Sequence, residues 1–132
     1  MEFIKWSKAV ELNIPILDKQ HKKMVNLTNQ LHKELELNKK TQIKKTLKLI
    51  VDELKNHFET EENLIDESKL PNFISHKLEH QRFYNKVSGL YQNIKAGKSN
   101  LTVDDLKSVK VWFFNHLDFK DKKLAEHILS KK

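Results

Sequence analysis

Five histidines and two carboxylates stand in this chain at spacings that would let them grip metal ions. His57 and Glu61 are four residues apart, as are His76 and His80. On an α-helix, side chains at i and i+4 leave the same face on adjacent turns, so each pair can close on one ion or on two neighbouring ions. His-x-x-x-His on a helix is a recurrent cation-binding spacing. His116 and Asp121 are less regular, because five residues on an ideal helix rotate by ~140°. Either Asp121 reaches across to the centre, or the helix is distorted there, for instance by a π-bulge. His21 supplies the fifth imidazole from far upstream.

The elements that must carry these groups follow from periodicity and punctuation. Residues 1–17 read as an irregular arm, with Pro15 near its end and Trp6 as its anchor. A first helix is expected from Asp18, acting as N-cap, to about Leu37. The second should run from after Thr41 to about Asp66. The third should hold Pro71 in its first turn and end at Ala96-Gly97, where glycine supplies the cap. Thr102, with Asp104 and Asp105 behind it, marks the start of a fourth helix that reaches about Leu129. Each helix carries an apolar stripe at 3-4 spacing, which predicts an all-α, up-down-up-down antiparallel four-helix bundle.

The polar candidates fall in register with those stripes. The second helix reads Ile43, Leu47, Ile50, Leu54, His57, Glu61, Leu64, and the third reads Phe73, His76, His80, Phe83, Val87, Leu90, Ile94. A buried imidazole or carboxylate without a partner costs several kcal/mol, roughly. One such residue is often just a hydrogen-bonded core group, so the argument rests on the set. In an up-down bundle the start of the first helix, the end of the second, the start of the third and the end of the fourth share one end. His21, His57, Glu61, His76, His80, His116 and Asp121 all lie at that end. His32 and His127 each follow a candidate by 11 residues. That spacing keeps the face but adds a rise of ~16 Å, so both are assigned structural or surface roles.

Composition narrows the partners. The chain has 132 residues, room for one domain over 1–132, with no cysteine and therefore no disulfide. The net charge of +7 comes from 25 basic residues, of which Arg82 is the sole arginine, scattered among 18 acidic ones. Nucleic-acid binding would call for a basic groove interleaved with aromatics, so no nucleic-acid partner is expected. No apolar run approaches the ~20 residues of a membrane span, and the amino terminus carries no secretory signal, so a soluble, cytoplasmic protein is expected.

The pattern resembles the hemerythrin family, specifically its bacterial single-domain members. The resemblance lies in Ile16-Leu17-Asp18-Lys19-Gln20-His21, His57-Phe58-Glu59-Thr60-Glu61, His76-x-x-x-His80 and His116-x-x-x-x-Asp121. It implies a pair of iron ions (Fe2+/Fe3+), one held by His76, His80 and His116 and the other by His21 and His57. Glu61 and Asp121 would bridge them together with an oxo or hydroxo group. Two octahedral ions offer twelve positions; five imidazoles, two bridging carboxylates and one bridging oxygen fill eleven. The vacancy falls on the ion with two histidines, and an open position marks a reactive site. The implied function is reversible oxygen binding for storage, transport or delivery, without enzymatic turnover. Sensing of oxygen or nitric oxide, or iron handling, through the same centre is the alternative, with a protein partner in trans left open. The chain departs from the family pattern at Leu17, at Phe113 and in the weakly aromatic Lys122-Lys123-Leu124. Phe113 puts a bulky ring one turn before His116, where gas would enter.

Overall fold

The computed structural model describes residues 3–130. Its helices are α1 (Pro15–Glu36), α2 (Lys40–Ser68), α3 (Phe73–Lys95), α4 (Val103–His116) and α5 (Lys122–Leu129), with a π-helical segment, Leu117–Asp121, joining the last two into one rod. The rod is the fourth member of an antiparallel, up-down-up-down four-helix bundle. A 3₁₀ turn at Lys8–Val10 precedes α1.

Local chemistry accounts for most of the boundaries. α1 begins at Pro15, three residues before the expected Asp18 cap, because the fixed φ of proline suits the first helical position. Asp18 sits in the first turn instead and accepts the amide of Leu12 at 2.7 Å, tying the arm to the helix. Asn38, with φ of 55°, closes α1 as a left-handed cap: the amide of Lys39 returns to Glu34 O at 3.0 Å. Gly97, with φ of 74°, does the same for α3. Pro71 lies in the turn before α3 and not in the helix, which starts at Phe73 behind a left-handed Asn72. Phe73, expected to face inward, is exposed and lies under Lys77. At the end of α2 the buried residue is Ile65, with Leu64 only half-buried.

α4 starts with a full capping box: Asp105 N donates to Thr102 Oγ1 at 3.1 Å, and Thr102 N donates to Asp105 Oδ2 at 2.9 Å. Replacing Thr102 by alanine should lower stability by about 1 kcal/mol, read as a fall in the urea midpoint at unchanged slope.

The arm is held by Ile4 more than by Trp6, which is only half-buried. Ile4 is buried, and its amide and carbonyl are both engaged by the Asn29 side chain, at 2.7 and 2.8 Å. The apolar core is in two parts. A large cluster contains Leu31, Leu47, Leu54, Phe58, Phe83, Val87 and Leu106. A smaller one at the opposite end joins Leu17, Ile65, Leu117 and Leu124. The band between them is polar. No helix among the described residues is long and apolar enough to cross a membrane.

Candidate metal centre

The polar band is built from all four rods of the bundle. His21 comes from the second turn of α1, His57 and Glu61 from late α2, His76 and His80 from early α3, and His116 and Asp121 from the ends of the α4–π junction. All seven are buried, Glu61 completely.

The distances divide them into two groups that share the carboxylates. Glu61 Oε1 lies 2.8 Å from His76 Nε2, 3.2 Å from His80 Nε2 and 3.8 Å from His116 Nε2. Its other oxygen, Oε2, faces His57 Nε2 and lies 3.8 Å from His21 Nε2. Asp121 repeats the division: Oδ1 is 3.3 Å from His76 and 3.1 Å from His116, and Oδ2 is 3.2 Å from His21. Within each group the imidazoles converge, His21 on His57 and His80 on His116, both pairs at 3.0 Å between Nε2 atoms. Two sets of donor atoms result, each spanning no more than 4.8 Å: Glu61, His76, His80, His116 and Asp121 in one, and His21, His57, Glu61 and Asp121 in the other.

Asp121 can take part because the helix widens. In a π turn the hydrogen bond closes at i+5, as from the amide of Lys122 to Leu117 O, so residues five apart return to nearly one face. Of the two sequence expectations for Asp121, distortion of the helix is the one found.

The opposite edges of the rings are also organised. Thr60 Oγ1 donates to Asn56 O, so it accepts from Gln20 Nε2 at 3.1 Å. The amide oxygen of Gln20 therefore faces His57 Nδ1, at 2.7 Å, and Nδ1 must carry the proton. Nε2, the nitrogen free to meet a cation, is left pointing into the cluster. His80 Nδ1 donates to Glu62 Oε2 and His116 Nδ1 to Glu79 Oε1, each at 3.1 Å, with the same consequence. Stacking holds the rings flat: His80 on Phe58, and His116 on Trp112, which in turn stacks on Phe83. Gln20, Glu62 and Glu79 escaped the sequence reading because each acts across to a neighbouring helix, which spacing within one helix cannot reveal. Adjacency to His21, Glu61 and His80 was the available signal.

Without a cation the group is poorly satisfied. Glu61 Oε2, Asp121 Oδ1 and His21 Nδ1 are buried with no hydrogen-bond partner, a costly state that a cation between the two carboxylates would relieve for their oxygens. Burial works against charge here, yet mutual attraction overrides it. Asp121 and Glu61 lift His21 to about 9 and His116 to about 10. Burial and Glu61 push Asp121 up, but His116 and His21 bring it down to about 2. Burial opposes ionisation of Glu61 too, and the surrounding imidazoles still hold it well below the usual carboxylate range. The cluster thus concentrates ionised carboxylates and oriented imidazoles, the donor set of a transition-metal site.

A four-helix bundle interrupted at one end by this set defines a protein with a histidine-carboxylate centre able to hold metal. The chain belongs to the hemerythrin family: the family model described as Hemerythrin HHE cation binding domain matches residues 12–128. Bacteriohemerythrin of Methylococcus capsulatus is 28% identical over 123 residues, covering 92% of this chain and 94% of that protein. Bacteriohemerythrin of Pseudomonas aeruginosa is 29% identical over 118 residues, covering 89% and 76%. Among solved structures, wild-type hemerythrin superposes with a TM-score of 0.86 at 27% identity, covering 91% of this chain and 93% of that one. An alanine mutant of hemerythrin reaches 0.91 at 26% identity, covering 96% and 98%.

Proposed function

We propose that this protein binds dioxygen reversibly at a pair of iron ions, held by His76, His80 and His116 on one side and by His21 and His57 on the other, with Glu61 and Asp121 shared. The observation that carries this reading is a narrow cavity of about 30 Å³ against the cluster, bordered by His21, His57, His116 and Asp121. Its remaining wall is made by side chains such as Met24, Leu54, Phe58, Trp112 and Phe113. A void of that size holds about one water-sized molecule, and an apolar wall favours an uncharged diatomic over water or an anion.

An iron pair held by these seven side chains would supply the redox chemistry that reversible dioxygen binding needs. The chain's own part is to exclude water and withhold protons. The only hydroxyl among the described lining residues is that of Thr28, and its proton is given to Met24 O at 2.8 Å. With His21, His57, His116 and Asp121 committed to metal and no other acid among the described lining residues, release is favoured over bond cleavage, which supports a carrier or store and not an enzyme. Phe113 stands edge-on to His21, ring centroids 5.6 Å apart, and narrows the space on that side. The Methylococcus capsulatus relative, 94% of which this chain covers, supports reading residues 1–132 as one such unit.

The test is metal analysis joined to visible spectra of the purified protein under alternating air and argon. Two irons per chain and a colour that fades under argon and returns in air are expected. A protein with fewer than two irons, or a colour indifferent to oxygen, would overturn the reading.

A further inference from the structure

The imidazoles of the two groups are not backed alike. On the three-histidine side, His80 and His116 each donate Nδ1–H to a carboxylate, Glu62 and Glu79. Both carboxylates are partly solvated, and Glu79 is also 3.5 Å from Lys120, which donates to Ser75 Oγ. On the two-histidine side, His57 donates to the neutral amide of Gln20, and His21 Nδ1 is buried with no partner. An imidazole whose far edge is hydrogen-bonded to a carboxylate is a stronger base at its near edge than one bonded to an amide, and its ring is oriented as well. The donor count leans the same way, five residues against four.

We propose that Glu62 and Glu79 are positioning residues that make the three-histidine group the tighter of two cation sites, so that the pair fills in order, that side first. This rests on the paired-ion reading above. Charge and geometry can be separated because glutamine keeps an oxygen acceptor for Nδ1–H and removes only the charge. A plain surface role for the two glutamates would leave the order of filling untouched.

The experiment titrates the metal-free full chain with cobalt(II) under argon, following the visible bands. The unaltered protein should take up two ions in two steps. Glu62→Gln and Glu79→Gln should each weaken the first step on the order of tenfold and spare the second. Gln20→Glu should tighten the second step and draw the two together. Nitrogen-15 spectra of the zinc-loaded variants should keep the Nδ1–H signals of His80 and His116 while shifting their positions. Two steps that stay unchanged in the glutamine variants, or that weaken equally, would overturn the inference and leave the paired site standing. Fewer than two ions in the unaltered protein would remove the paired site and this inference with it.

Discussion

Glu61→Ala should empty both halves of the centre at once and destabilise the protein by about 3 kcal/mol or more. Each oxygen of Glu61 faces a different set of imidazoles, and among the described residues only Asp121 also serves both groups. Removing it strips one donor from each set and leaves histidines that Glu61 now helps to hold charged without their counter-charge. Breaking a buried ion pair by deleting one partner costs about 3–5 kcal/mol. His32→Ala is the matched control. That residue lies outside the cluster, paired with Glu36 and stacked on Phe3, so metal content should stay at the unaltered value. Metal analysis and thermal melts of the two variants read the difference; equal losses would contradict the assignment of the cluster.

The second large effect concerns pH. In the metal-free protein, His21 and His116 are raised from 6.5 to about 9 and about 10. Stability from these two groups is fully present below 6.5 and is lost as pH climbs through their folded values. Asp121 is depressed from 3.8 to about 2, so its contribution is present above 3.8 and is lost as pH falls through about 2. The metal-free chain should therefore be most stable between about pH 4 and 6.5. Metal uptake reverses the upper limb, because a coordinating imidazole must give up its proton. The melting-temperature gap between loaded and metal-free protein should widen steadily from pH 6 to 9. Ions held at 100 times their pH 6 dissociation constant add about 2.7 kcal/mol per site there, and more as pH rises. Melts of zinc-loaded and chelator-treated protein across that range test it, and a constant or shrinking gap would refute it.

The bundle was legible because helix stripes, the Thr102 cap and Gly97 all agree with one another, a consistency that leaves few alternative folds. The meeting of the seven polar groups was legible for a related reason. Inward-facing residues at the matching ends of antiparallel helices have nowhere else to point. What escaped depended on competition between neighbours. Asp18 is a good cap, but Pro15 starts the helix earlier and leaves Asp18 to hold the arm. Phe73 fits the stripe of α3, yet it lies in the first turn, where the end of the bundle opens to solvent. The glutamates behind His80 and His116 look like surface charge until the neighbouring helix is placed beside them.

The π segment gives the smaller apolar cluster a task that its composition does not suggest. Were that wide turn to tighten into ordinary α-helix, everything past Asp121 would swing by ~100° and slide ~1.5 Å along the rod. Leu117 and Leu124 bracket Asp121 and are both wholly buried, so such a swing would tear Leu124 from its socket. Greasy packing thus acts as a rotational stop that keeps a carboxylate aimed, and trimming Leu124 is a way to blur the centre without touching any group that grips a cation.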